Sequence, residues 1–275
     1  MLAQTDTPRV AVISMQKNEA ELLPIWLAYY HRLIGAENVY LIDNGSDIDA
    51  ARVQLVDARR SGVNVIDKPG QDAFERKGPV IQRLARSLAD QYDVIIPIDG
   101  DEFLTLKADP GTLMSRDTLH SEASAFLRSE RDYALITCHF LNVANTPIVV
   151  RREFRKVFIR PNTEFTLNRG FHFQPAEAAE GHESGFAYLH FHHKADIEVM
   201  QNLAIPKIGE DRYKTYLETG REAPIKGKGK HMAKYIDMSQ DRYQKYMQRI
   251  SGEQIDVSDF FASFDQPVPF AAAPE

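Results

Sequence analysis

The apolar positions of the first hundred residues alternate between two patterns. Residues 9–15, Arg-Val-Ala-Val-Ile-Ser-Met, form a short apolar run that suits a buried strand. Leu22, Ile25, Trp26, Tyr29 and Leu33 then recur at helical spacing. Residues 38–42 read as a second strand, 49–59 as a helix of weak periodicity and 63–66 as a third strand. A strong helix is predicted over about 74–91, with Val80, Ile81, Leu84 and Leu88 on one face, and a fourth strand over 93–98 stops at Asp99. Strand, helix, strand, helix at this spacing predicts a parallel sheet with crossover helices. After residue 104 the pattern changes. Residues 132–143 and 155–160 look like strands, 161–184 like a loop rich in His, Glu and Gly, and 196–219 and 239–250 like helices. Residues 267–275 read as a low-complexity, mobile tail. No internal repeat is present.

In a parallel sheet of this kind, ligands bind outside the carboxyl ends of the strands. That rule marks residues 16–19, 43–47 and 99–102, all of which carry polar or acidic groups. The strongest signal is Asp99-Gly100-Asp101-Glu102, three carboxylates in four residues. Gathering them costs repulsion unless a cation or hydrogen-bond donors offset it. In an extended segment Asp99 and Asp101 would project to one side, with Gly100 leaving room for a ligand against the backbone. Hard oxygen ligands suit Mg²⁺ or Mn²⁺, which commonly bridge nucleotide phosphates. A solvated acidic turn is the bland alternative.

Asp43-Asn44-Gly45-Ser46-Asp47 carries a strong turn signal, and Asp43 is equally placed to accept hydrogen bonds from a base or ribose. Asn18 is a candidate helix N-cap, with Glu21 three residues on, and also a candidate ligand contact alongside Glu19. Five of the nine histidines fall between 172 and 193, and alternation puts His190 and His192 on one strand face. Imidazole there would complete a metal site begun by carboxylates. Lys156 and Arg160 share a strand face, either balancing a diphosphate or forming a solvated basic edge.

The 275 residues suffice for one large domain, or one with a subdomain. The net charge of −6 argues against a nucleic-acid partner. The single cysteine, Cys138, excludes an internal disulfide and reads as buried filler, which points to a reducing compartment. No stretch approaches the ~18 apolar residues that span a bilayer, and no leader pattern is visible, so a cytoplasmic protein is expected, with peripheral membrane contact left open.

Taken in order, residues 12–19, 23–27 (Leu-Pro-Ile-Trp-Leu), 40–47 and 98–104 (Ile-Asp-Gly-Asp-Glu-Phe-Leu) resemble the family-2-like glycosyltransferases of the GT-A fold. A looser likeness continues through residues 155–161, His172 and residues 189–194. The resemblance implies an α/β GT-A-like domain over about residues 1–200, with a mostly parallel central sheet, and a helical C-terminal extension over 201–275. It implies transfer of a sugar from a UDP- or GDP-sugar to a hydroxyl of a glycan or other acceptor, with inversion, in surface polysaccharide or glycan synthesis. Asp43 would contact the donor base or ribose, Asp99 would lie near the ribose, and Asp101 would bind Mn²⁺ or Mg²⁺. His190 would be a further metal or diphosphate contact. The base that deprotonates the acceptor does not map onto one residue, and Glu153, Glu180 and Glu183 are the candidates. Three rivals compete with this reading. A sugar-phosphate nucleotidyltransferase would need a Gly-rich loop where residues 15–19 hold no glycine. A zinc hydrolase would use the histidine cluster, and a non-catalytic glycan-binding module would not explain three acidic strand ends.

Overall fold

The computed structural model describes residues 7–172, 181–219 and 229–271. Ten strands form one sheet: β1 (Val10–Gln16), β2 (Val39–Asp43), β3 (Asn64–Asp67), β4 (Val94–Pro97), β5 (Glu102–Leu106), β6 (Tyr133–Asn142), β7 (Ile148–Ile159), β8 (His182–Glu183), β9 (Phe186–His190) and β10 (Gln254–Asp256). The main order is β3-β2-β1-β4-β7-β6-β9-β5, with β8 beside β6 and β10 beside β7. Strands β1 to β4 pair in parallel, as the alternating pattern predicts. Beyond β4 the sheet is mixed: β7 runs antiparallel to β4 and β6, and β5 antiparallel to β9.

The helices are α1 (Leu23–Ile34), α2 (Asp49–Arg60), α3 (Gln71–Glu75), α4 (Lys77–Ser87), α5 (Arg116–Arg128), α6 (Ile197–Ile208), α7 (Glu210–Glu218), α8 (Ala233–Ile236), α9 (Gln240–Gln248) and α10 (Ser258–Ala262). The helix expected over 74–91 is two pieces that meet at Arg76. Gly78 explains where the second begins. A Cβ there would lie 2.1 Å from the Leu167 carbonyl oxygen, so only glycine lets the first turn of α4 abut that backbone.

Alternation along β1 sends Val10 and Val12 into one core and Ala11 and Ile13 into the other, so the strand is buried on both faces. A third apolar cluster joins α6, α8 and α9 through Met200, Ala204, Ile208, Met232, Tyr235 and Met247. The chain does not stay in that helical layer. Strand β10 pairs with β7, and Phe260, Phe261 and Phe264 enter the first core beside Tyr29 and Phe103. The expected mobile tail is held in part: the Phe270 carbonyl accepts from Asn145 N at 2.8 Å, and the Lys194 ammonium lies 4.4 Å from the Phe270 ring. Apolar Phe in a run of Pro and Ala supplied the anchor that composition concealed.

Candidate active site

Strand order reverses at β1, which lies between β2 and β4. A crevice opens at such a switch point, outside the carboxyl ends of the strands. The acidic residues 99–102 occupy that place, and helix α1 fixes them. Trp26 Nε1 donates to the Asp99 carbonyl at 3.2 Å. The Tyr30 hydroxyl donates to the Glu102 carbonyl at 3.2 Å and accepts from Leu104 N at 3.0 Å. Tyr29 donates to the Leu104 carbonyl. All three rings are fully buried, so a rigid aromatic helix holds this backbone.

The segment is a turn rather than the extended run expected. Glu102 N donates to the Asp99 carbonyl at 3.1 Å, and Glu102 Oε2 accepts from Asp99 N at 3.0 Å. Each carboxylate consequently meets its own partners. The Lys156 ammonium, from β7, sits 2.7 Å from Asp99 Oδ2 and 2.6 Å from Glu102 Oε2. Lys77, the first residue of α4, donates to the other Asp99 oxygen. Both lysines also lie over the Phe171 ring. Burial alone would raise the Asp99 carboxyl, but Lys156 and Lys77 overcome it and hold it below the ordinary range. Glu102, wholly buried, is raised by desolvation that Lys156 only partly offsets.

Asp101 faces elsewhere. Its Oδ2 lies 3.5 Å from His190 Nε2, because β5 and β9 pair with Glu102 opposite His190. Phe191 N donates to the Asp101 carbonyl at 2.8 Å, which brings the next residue, His192, back over the turn. One oxygen of Asp101 and one ring nitrogen each of His190 and His192 lie within 4.8 Å of one another. Asp99, Asp101 and Glu102 also satisfy that spacing, but two of those carboxylates are already held by ammonium groups. The donor set that fits a cation is therefore one carboxylate and two imidazoles. Burial keeps His192 neutral, well below the ordinary imidazole range, as a ligand must be. Two imidazoles favour Mn²⁺ over Mg²⁺.

His190 differs. Burial would lower it, but Asp101 and then Glu102 overcome that and hold it above its ordinary value. In the metal-free protein this charged pair stabilises the fold below the ordinary imidazole pKa of about 6.5, and the contribution is lost as pH rises through the raised value. A cation needs the ring deprotonated. Mn²⁺ affinity is accordingly expected to increase across the window from the ordinary imidazole value of about 6.5 up through the raised one, with proton release on binding. Calorimetric titrations in buffers of different ionisation enthalpy measure both, and an affinity flat across that window would contradict this ligand assignment.

The other predicted residues fall into two groups. Asp43 joins the crevice at the end of β2 and is buried, accepting from Gln16 Nε2 at 2.6 Å, Ser46 Oγ at 2.6 Å and Ser46 N at 3.0 Å. Asn18 is not the N-cap of α1, which begins after Leu22. It adopts φ 59° and ties the first crevice loop to the second, its Oδ1 accepting from Asp47 N at 2.8 Å and its Nδ2 donating to Asp47. Glu19 pairs with Lys194 at 3.4 Å, and burial raises its carboxyl. Gly100 is not forced by packing, since a Cβ there would lie 3.9 Å from Gln16.

Glu153 and Glu183 are not brought to this cluster. Glu153 is exposed, and a break in the β6–β7 register separates it from Lys156. Glu183 is exposed and pairs with Lys107 at 3.1 Å. Its strand meets β6 at Leu135, whereas His190 meets β6 at Leu141, roughly 20 Å along the strand. Glu180 lies outside the described residues. Arg160 turns away from Lys156 and donates to the Arg131 and Leu127 carbonyls, both at 2.7 Å. His193 is structural, its ring between the Asn142 carbonyl at 2.7 Å and the Tyr235 hydroxyl at 3.1 Å. Cys138 is buried, as expected.

No protein-family model matches the chain, and no curated protein matches it. Solved structures are similar to it. Residues 1–349 of TarS from S. aureus, in complex with UDP-GlcNAc, are 11% identical, with 88% of this chain and 73% of that one covered and a TM-score of 0.40. Glucosyl-3-phosphoglycerate synthase from Mycobacterium tuberculosis, in complex with Mn²⁺, UDP-glucose and phosphoglyceric acid, is 16% identical over 49% of this chain, with a TM-score of 0.32. A cytidylyltransferase from Leptospira borgpetersenii is 14% identical over 56% of this chain, with a TM-score of 0.34. The chain spans 44% of the synthase and 61% of the cytidylyltransferase. The chemistry of this chain rests on its own residues.

Sequence reasoning missed four groups. Lys77 lacked a signal because it opens a helix 22 residues before its partner Asp99. His139, on β6, places its Nδ1 3.3 Å from His190 Nδ1 and stacks on Phe154 at 4.5 Å; a lone His in an apolar strand gives no warning of that. Burial and the neighbouring cations lower its pKa to about 2. Lys194 stood in the quoted histidine run, yet its pairing with Glu19 crosses 175 positions. Lys207, near the end of α6, lies in the helical C-terminal extension, where nothing in the sequence pointed toward Asp101.

Proposed function

We propose that this chain is a metal-dependent glycosyltransferase that moves a sugar from a nucleoside-diphosphate donor to a hydroxyl acceptor. The observation that carries the reading is the convergence of Asp101, His190 and His192 at the strand-end crevice, beside an acid pair already neutralised by Lys77 and Lys156. A diphosphate and a carboxylate repel each other, so a site that takes both needs a cation between them. Bound by Asp101, His190 and His192, Mn²⁺ would offset the charge that develops on the departing diphosphate. Lys156 and Lys77 keep Asp99 ionised and fixed, available to a ribose hydroxyl without adding net charge. The aromatic helix α1 keeps the turn from relaxing when the ligand's charge changes, the preorganisation that electrostatic catalysis requires. Helices α6, α8 and α9 would shape the acceptor side.

Asp43 would receive the nucleoside at the second strand end. Asp43→Ala removes a buried acceptor from Gln16 and Ser46, so we expect a loss of about 1–3 kcal/mol in folding stability together with weaker nucleotide binding. Chemical denaturation and calorimetric titration read the two effects separately. Unchanged nucleotide affinity in a folded variant would make Asp43 a turn residue only. The activity class is tested by a thermal-shift screen of UDP, GDP and their monophosphates with and without Mn²⁺. A metal-dependent rise with one diphosphate supports transfer chemistry, whereas no shift with any nucleotide would contradict it.

A further inference from the structure

Among the described residues, one cation near this cluster has no partner. Lys207 lies in the last turn of α6, between Pro206 and the buried Ile208. Its ammonium is attracted by Asp101 and Asp99 and repelled by Lys77 and Lys194. Among the described residues it makes no hydrogen bond and no ion pair, unlike Lys77, Lys156 and Lys194, each of which is engaged by a carboxylate. Desolvation lowers its pKa, the expected state of a half-buried ammonium with no ligand of its own.

Its position is held rather than accidental. Gly229, at φ 77°, lies so close that a Cβ there would meet the Lys207 carbonyl oxygen at 2.2 Å. The Gly229 carbonyl then accepts from Met232 N at 2.8 Å, and Met232 is fully buried. Between them, His231 places its ring 6.4 Å from that of His192. The end of α6 and residues 229–232 thus form a wall beside His192.

Charge shows what the wall is for. Lys77 and Lys156 are matched by Asp99 and Glu102, and Lys194 by Glu19. A divalent cation on Asp101 and two neutral imidazoles leaves only one positive charge to meet a ligand. Each phosphoryl group of a diphosphate carries at least one negative charge at neutral pH. We infer that Lys207 is the second positive charge, a contact for the distal phosphate of the nucleoside diphosphate. This rests on the glycosyltransferase reading above and adds to it a binding residue supplied by the C-terminal helical layer. An ammonium that is half-buried and unpaired before the ligand arrives gives up little hydration on binding it.

The test is calorimetric titration of the full chain at saturating Mn²⁺ with UDP, GDP, UMP and GMP. Wild type is compared with Lys207→Met, Lys207→Gln and Lys207→Arg. Loss of one charge-assisted contact should weaken the preferred diphosphate about 10- to 100-fold in the Met and Gln variants. The matching monophosphate should be affected far less, and Arg should restore most of the diphosphate affinity. A merely structural lysine would weaken both nucleotides alike, and that result would overturn the assignment, as would Met and Gln variants that bind the diphosphate like wild type. If wild type itself binds no nucleotide with Mn²⁺, the glycosyltransferase reading fails and this contact fails with it.

Discussion

Lys156→Met is expected to destabilise the fold by about 3–5 kcal/mol. The ammonium is 3% exposed and lies within 2.7 Å of three carboxylate oxygens, two from Glu102 and one from Asp99. Burial alone would lower its pKa, but the two carboxylates raise it above its ordinary value, so it is charged throughout the accessible range. Methionine fills much of the same volume and removes both short contacts to the wholly buried Glu102, leaving it His190 at 4.0 Å as an opposing charge. The cost is that of an uncompensated buried charge rather than of poorer packing. The midpoint of urea denaturation measures it. The double change Lys156→Met with Glu102→Gln should recover a substantial part, because it removes the stranded charge as well. A single variant within about 1 kcal/mol of wild type would show that Lys156 does not balance these acids.

The parallel half of the fold was legible because its strands are short, and β1, β2 and β4 are buried along their length and followed by a polar strand end. The aromatic helix was legible for the same reason: Trp26, Tyr29 and Leu33 repeat at helical spacing. Its role was not, since the hydrogen bonds from Trp26 and Tyr30 to residues 99–104 span more than 70 positions. Strand β5 was hidden by its brevity and by the acidic turn that opens it. Pattern placed Asp99 and Asp101 on one side of an extended chain, whereas they sit in a turn, an oxygen of each still within 4.8 Å of the other. That turn gives Asp99 to the lysines and Asp101 to the histidines. The resemblance offered His190 as a metal contact. His192 came into view as a candidate ligand only because β9 ends at His190 and Phe191 N bonds back to Asp101. Lys207 was illegible because helical periodicity reports which residues are buried, not which charges they face.

Asp101→Asn carries the largest expected functional effect. Asparagine keeps the shape of the side chain and removes the one carboxylate of the two candidate metal clusters that, among the described residues, is not paired with an ammonium group. Metal-dependent nucleotide binding should be abolished, and activity with it. The melting temperature of the metal-free protein should move by no more than about 4 °C, because Asp101 keeps some solvent exposure and the substitution breaks chiefly its 3.5 Å ion pair with His190. His190→Ala should weaken the same binding less severely, since His192 and Asp101 remain. The direct measurement is titration of UDP and GDP into wild type and Asp101→Asn, each with Mn²⁺ and again with chelator. Wild type should bind one diphosphate with Mn²⁺ and lose it to chelator, and Asp101→Asn should bind in neither condition. Tight binding by Asp101→Asn that is indifferent to chelator would contradict a metal-held diphosphate at this site.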